Sequence, residues 1–314
     1  MIKTENLTKN FGAGRGVFNL NMFVPKGSIY GFVGHNGAGK TTTIKILCGL
    51  LKPDSGKAFI GDTEVSPKNI SRIKRIIGYM PDITGIYDQM SVWEFLDFYG
   101  AAFKIPAKKR KSRIEEVLDI TGSTYMIDYQ LSSLSRGMRQ RIGLAKTLVH
   151  DPDILILDEP TSGLDPNARI EMRQIILKLS KLGKTILLSS HILPELSTIS
   201  TLVGIIAKGQ LLAQGTLKEI SSSLQENISV IATIDTDIDA AKKLLEQIEG
   251  VSDIKQVDRE QLEFTFSGSR EQMGSIVKYL VKNDTRVRWF TENEADLENV
   301  FMKLTERKEK LPNA

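Results

Sequence analysis

The sequence has little of what would hold it outside a cell or inside a membrane. Cys48 is its single cysteine, so no disulfide can form within the chain. Its neighbours Ile46, Leu47 and Leu50 read as a buried thiol in a reducing compartment. No apolar run approaches the roughly 18 residues of a spanning helix; Ile154-Leu155-Ile156-Leu157 is typical. Met1-Ile2-Lys3-Thr4-Glu5-Asn6 carries charge and polarity where a secretory leader needs an apolar stretch. The chain is therefore expected in the cytoplasm, and any work at a membrane requires another polypeptide to do the spanning. Charge of one sign is scarce too. The 42 basic and 38 acidic residues leave only +4, whereas a nucleic-acid binder clusters its basic residues on one face. The one dense basic run, Lys108-Lys109-Arg110-Lys111-Ser112-Arg113, reads as a solvated helix start, and no nucleic-acid partner is expected. Tandem repeats, low-complexity tracts and sustained heptads are also missing, which excludes solenoids and long coiled coils.

What remains is an ordinary globular composition, 41% hydrophobic over 314 residues, enough for one large core or two domains. Ser28 to Val33 is a short apolar run entering a glycine-rich loop, and Thr42 to Leu50 reads as a helix stopped by Pro53-Asp54-Ser55-Gly56. Residues 91–150 are mostly helical in pattern. Ser91 is the expected N-cap, with Glu94 completing a capping box. Residues 153–158 and 184–190 are apolar without alternation, as in strands covered on both faces of a parallel sheet. Ile205 to Leu212 reads as a hairpin closed at Lys208-Gly209. The polar break Ser221-Ser222-Ser223 marks a boundary. Beyond it come strand (228–234), helix (237–248), strands (251–257 and 261–267), helix (269–283), strand (286–290) and a last helix (294–306). That βαββαβ order is the ferredoxin-like pattern.

The strongest local signal is Gly34-His35-Asn36-Gly37-Ala38-Gly39-Lys40-Thr41, with Thr42 behind it. It fits the P-loop pattern and lies, as that motif must, between a strand and a helix. Glycines let backbone N–H groups close around phosphate oxygens, and the helix N-terminus adds the positive end of its dipole. Lys40 is expected on the β- and γ-phosphates of ATP, and the Thr41 hydroxyl on Mg²⁺. More than a hundred residues later, the strand Ile154 to Leu157 ends in Asp158-Glu159. Asp158 would hold the metal, and Glu159 would act as the base on the attacking water.

Together these residues resemble the ATP-binding cassette (ABC) family, the nucleotide-binding subunits of ABC transporters, over residues 1 to about 220. Leu134-Ser135-Arg136-Gly137-Met138 is similar to the family signature LSGGQ, with Arg136 and Met138 departing from it. The resemblance implies that this segment binds the γ-phosphate of ATP held by the opposite subunit. Pro160 to Asp165 resembles the D-loop of the dimer interface, His191 the switch histidine on the γ-phosphate, and Phe11 the aromatic that stacks on adenine, with Phe18 a rival. Asp82 stands where the family usually has a metal-touching Gln. Ala295 to Thr305 is similar to the closing helix of bacterial drug, antibiotic or polysaccharide exporter subunits.

The resemblance implies an α/β fold in residues 1–220: a RecA-like P-loop core, an antiparallel β subdomain and a helical subdomain. A small α+β ferredoxin-like accessory domain follows at 224–308. It implies an ATPase with ATP and Mg²⁺, working as a homodimer or heterodimer with an integral-membrane permease, peripheral on the inner face of the cell membrane. A soluble ABC ATPase acting in a non-transport process is the second reading. A single P-loop and the extra C-terminal domain weigh against it. Glu159 weighs against a third, a regulator without turnover.

Overall fold

A computed structural model describes residues 1–83, 85, 89–224 and 228–292. The chain divides into two compact units, Met1–Leu217 and the residues from Lys218 onward. The predicted helix 294–306 lies outside the described residues.

The first unit begins with β1 (Ile2–Asn10) and β2 (Gly16–Val24), followed by β3 (Ile29–Val33), which is buried along its whole length. Helix α1 (Lys40–Leu47) starts two residues earlier than expected and ends sooner. Gly49, at φ 67°, stops it before the proline turn is reached; a left-handed glycine is the usual C-terminal stop. Strands β4 (Ser55–Ile60) and β5 (Thr63–Glu64) join β1 and β2 in an antiparallel sheet ordered β2-β1-β4-β5. Helix α2 (Ile70–Ile76), which the pattern did not predict, leads into β6 (Ile77–Met80).

Three helices follow: α3 (Val92–Ala102), α4 (Ala107–Ile120) and α5 (Arg136–Leu148). The capping box is present: Glu94 N–H donates to Ser91 Oγ at 3.2 Å, and Ser91 N–H donates to Glu94 Oε2 at 2.8 Å. The basic run is only partly solvated. Its lysines are exposed, but Arg110 Nε lies 2.5 Å from Asp97 on α3. Arg113 donates to the carbonyls of Leu148 and Val149 at 2.6 and 3.0 Å. A planar guanidinium satisfies several acceptors at once, so these arginines tie α4 to its neighbours.

The chain continues through β7 (Ile154–Leu157), α6 (Pro166–Lys181), β8 (Thr185–Ser190), α7 (Leu193–Ser197), β9 (Leu202–Ala207) and β10 (Gln210–Gly215). These strands, with β3 and β6, make a six-stranded sheet ordered β10-β9-β3-β8-β7-β6. It is parallel except for β10, the hairpin partner of β9. The carboxyl ends of β3, β8, β7 and β6 therefore lie side by side, and open α/β sheets bind ligands beyond that edge.

Helix α8 (Leu217–Leu224) contains Ser221–Ser223, so the expected polar break is helical and the units part just before it. The second unit runs β11 (Ile228–Ile234), α9 (Ile238–Glu246), β12 (Val251–Asp258), β13 (Gln261–Phe266), α10 (Arg270–Lys282) and β14 (Val287–Glu292). Its antiparallel sheet is ordered β12-β13-β11-β14, the ferredoxin-like arrangement. Val230, Ala232, Ile234, Leu262 and Phe264 pack with Leu245, Ile276 and Leu280 in a core of its own.

Candidate active site

Beyond β3 the chain turns through Gly34 to Gly39 into α1. Gly34 has no room for a side chain, since a Cβ there would lie 2.4 Å from the Ile206 carbonyl oxygen. Gly37 and Gly39 have φ of 82° and 113°, conformations that side chains resist. The turn brings Lys40 back over its own loop, where Nζ donates to the carbonyls of Gly34 (2.5 Å) and His35 (3.3 Å). A cleft of about 360 Å³ opens here, lined by Phe11, Arg15, Gly16, His35, Asn36, Gly37, Gly39, Lys40, Thr41, Thr42, Asp82 and Glu159. Gly34 and Ala38 are buried behind this lining.

The acidic pair arrives from β7. Asp158 is buried and accepts from Ser189 Oγ at 2.6 Å. The same hydroxyl oxygen accepts from Glu159 N–H at 2.9 Å, so Ser189 ties both carboxylate residues to the end of β8. Glu159 has φ 50°, which a non-glycine residue adopts at a cost. Its Oε1 lies 3.3 Å from Lys40 Nζ and its Oε2 lies 2.8 Å from His191 Nδ1. A carboxylate thus bridges the cation of the glycine loop and the imidazole beyond β8. Asp82 enters the cleft after β6, and its carboxyl is held above the usual range. Burial is the main cause, with the charges of Asp158 and Glu159 adding to it and those of Arg136 and His191 opposing it.

The structure gathers some predicted residues and separates others. Phe11 lines the cleft, half exposed, with Lys9 Nζ 5.8 Å above its ring. Phe18 lies against Gly209 instead, the residue whose carbonyl accepts from its N–H. Leu134, Ser135, Arg136, Gly137 and Met138 do not line the cleft of their own chain. Ser135 caps α5, its Oγ accepting from Met138 N–H at 3.3 Å. Asp165 likewise caps α6, accepting from Ala168 N–H at 3.0 Å. Sequence reasoning missed Arg15, Gly16 and Ser189. Arg15 and Gly16 sit at the β1–β2 turn, where no local pattern marks them. A serine before the strand-end His191 was visible but too common to single out.

Thr41, Asp82 and Asp158 offer only oxygen, the donor type that Mg²⁺ takes. Among the described residues no group of three or more acidic, His or Cys side chains could hold a metal.

Comparison with known proteins follows the two units. A family model described as "ABC transporter" matches residues 17–162. Another, "ATP-binding protein DrrA1-3-like, C-terminal domain", matches residues 215–305. The chain is 38% identical over 305 residues to the bacitracin transport ATP-binding protein BcrA of Bacillus licheniformis, covering 97% of both chains. It is 32% identical to the daunorubicin/doxorubicin resistance ATP-binding protein DrrA of Streptomyces peucetius, covering 97% of this chain and 92% of that one. Among solved structures, cbiO1 of Clostridium perfringens, part of the ABC transporter complex cbiONQ, matches with TM-score 0.65 and 27% identity over 79% of this chain and 95% of that one. A dimeric bacterial ABC transporter cassette, 22% identical, shares the fold with TM-score 0.61 over 69% of this chain and 98% of that one.

Proposed function

The chain belongs to the ATP-binding cassette family as an ATP-binding and ATP-hydrolysing transporter subunit, and from that premise we propose how its residues divide the work. Lys40 and the amides of Gly34 to Thr41, with Thr42, take the triphosphate, and Phe11 stacks on the adenine. Thr41, Asp158 and Asp82 would hold Mg²⁺, which would supply charge neutralisation for the phosphates. Glu159 orients water and accepts its proton, while His191 fixes the Glu159 carboxylate and faces the γ-phosphate. The observation that carries this reading is the Glu159 carboxylate, 3.3 Å from Lys40 and 2.8 Å from His191, beside a cleft lined by the glycine loop.

Two chains then pair head to tail. The segment Leu134 to Met138 of one completes the site of the other, with Asp165 at the interface. This accounts for a signature that does not line its own cleft. Residues 1–220 form the nucleotide-binding domain, and residues 224–308 an accessory domain that supplies contacts. The relatives' names, bacitracin transport and daunorubicin/doxorubicin resistance, favour export of a drug or antibiotic through a separate permease. The chain would sit on the inner face of the membrane. The test is phosphate release that depends on Mg²⁺, together with recovery of a protein with several membrane spans from detergent-solubilised membranes. A chain that binds no nucleotide, or that is recovered with soluble partners alone, is not this subunit.

A further inference from the structure

In the first turn of α7, four residues after His191, Glu195 carries a carboxylate that is only 13% exposed. A buried carboxylate needs partners, and both of its oxygens have one. Oε2 accepts from Thr161 Oγ1 at 2.8 Å, and Oε1 accepts from Arg169 Nη1 at 3.0 Å. Arg169, on α6, also reaches back, its Nε donating to the Leu164 carbonyl at 2.9 Å. Thr161 and Leu164 belong to the turn that leaves Glu159, a turn closed by Ser162 N–H on the Glu159 carbonyl at 3.1 Å. That turn needs holding, because Glu159 sits at φ 50° and such a backbone persists only where its surroundings fix it. Two side-chain links join the turn to the segment beyond β8. Glu159 meets His191 at 2.8 Å, and Thr161 meets Glu195 at 2.8 Å. The first link lies in the site; the second lies behind it.

We propose that Glu195 is a positioning residue for ATP hydrolysis. With Thr161 and Arg169 it clamps the turn after Glu159 to the segment that carries His191, and so keeps the Glu159–His191 pair aligned. The inference rests on Glu159 being the base. Glu195, Thr161 and Arg169 do not line the cleft, so nucleotide binding is left to the glycine loop. Loosening the clamp slows the attack of water and spares affinity for ATP.

The experiment measures kcat, KM, affinity for a fluorescent ATP analogue and thermal midpoint on the full chain. The chains compared are the wild type, Glu195→Gln, Thr161→Val, Thr161→Ser, Glu159→Gln, and Glu159→Gln combined with Glu195→Gln. Glu195→Gln should lower kcat by roughly 10- to 100-fold, since displacing a reacting group by about 1 Å can cost that much. KM and analogue affinity should stay near the wild-type values, as for an interaction that counts only in the transition state. Thr161→Val keeps the shape and removes the hydroxyl, so it should lower kcat in the same way, while Thr161→Ser should keep most of the rate. In the Glu159→Gln background, Glu195→Gln should take nothing further from the residual turnover, read with radiolabelled ATP, because the base it positions is gone. Wild-type kcat in Thr161→Val and Glu195→Gln would overturn the proposal, as would a raised KM at unchanged kcat or a full further loss in the double variant. If Glu195→Gln does not fold, Thr161→Val against Thr161→Ser decides alone. Near-normal turnover in Glu159→Gln would remove the base and the clamp together, whereas an inactive Glu159→Gln beside a fully active Glu195→Gln removes the clamp alone.

Discussion

Replacing Glu159 by Gln keeps the side chain's volume and removes its charge and basicity. The carboxylate is mostly buried, with one oxygen 3.3 Å from Lys40 and the other 2.8 Å from His191. Loss of a general base costs about 10²–10⁴ in rate, or about 3–5 kcal/mol of barrier. The same change strips Lys40 of its counter-ion, and removing one partner of a buried pair leaves an uncompensated charge. The nucleotide-free variant should therefore melt below the wild type. ATP offers phosphate in place of the missing carboxylate, so the rise in midpoint on adding ATP should exceed that of the wild type. The assays are phosphate release at saturating Mg²⁺ and ATP, and thermal melting with and without nucleotide. Release within about threefold of wild type would remove Glu159 from the chemistry, since even the low end of the expected loss is far greater. A variant whose midpoint ATP no longer raises would show that the carboxylate shapes the cleft instead.

Mixing Ser135→Arg chains with Lys40→Ala chains should recover ATPase activity that neither homodimer has, because the mixed pair keeps one intact composite site. No recovery at any ratio would refute pairing across chains or show that both sites must fire together. Phe264→Ala, in the core of the second unit, should cost about 3–5 kcal/mol there while leaving affinity for an ATP analogue unchanged. A parallel loss of binding would refute the separation of roles. The Asp151 carboxyl is held below its usual range, chiefly by the Lys184 hydrogen bond. A lowered pKa stabilises the fold above the ordinary carboxylate value, and that contribution fades as pH falls through the lowered one. Asp151→Asn should flatten the loss of stability below about pH 4, and an unchanged acid limb by circular dichroism would refute it. Asn tolerates the left-handed backbone at this position, φ 56°.

The glycine loop and Asp158-Glu159 were legible because phosphate binding demands residue types at fixed spacing, and that spacing survives in one dimension. The βαββαβ order was legible for a similar reason, since each element carries its own period. Helix α2 was not, because seven residues rich in β-branched isoleucine give no dependable helical stripe. Nor could sequence decide between Phe11 and Phe18. They lie on either side of one turn, and only the fold shows that Gly209 claims Phe18 while the cleft takes Phe11. Arg110 and Arg113 were read with their lysine neighbours as solvated, since their acceptors sit on other elements. Ser189 joins Asp158 and Glu159 across some thirty residues of chain, a link no local pattern carries.

The strand order also sets a timetable for synthesis. Strand β3 carries the glycine loop, yet its neighbours in the sheet are β8 and β9, which leave the ribosome some 150 residues later. At about 5–20 residues per second, the fully apolar stretch Ile29–Val33 waits roughly 8–30 s for a partner strand. Until then the glycine loop has no completed sheet behind it, and Asp158 has no Ser189 to hold it. Capacity to bind nucleotide is therefore expected late, once Thr185–Ser190 and Leu202–Ala207 have taken their places on either side of β3. A nascent chain halted before Ser190 holds Gly34 to Thr42, Asp158 and Glu159, and is expected to bind ATP more weakly than the full chain.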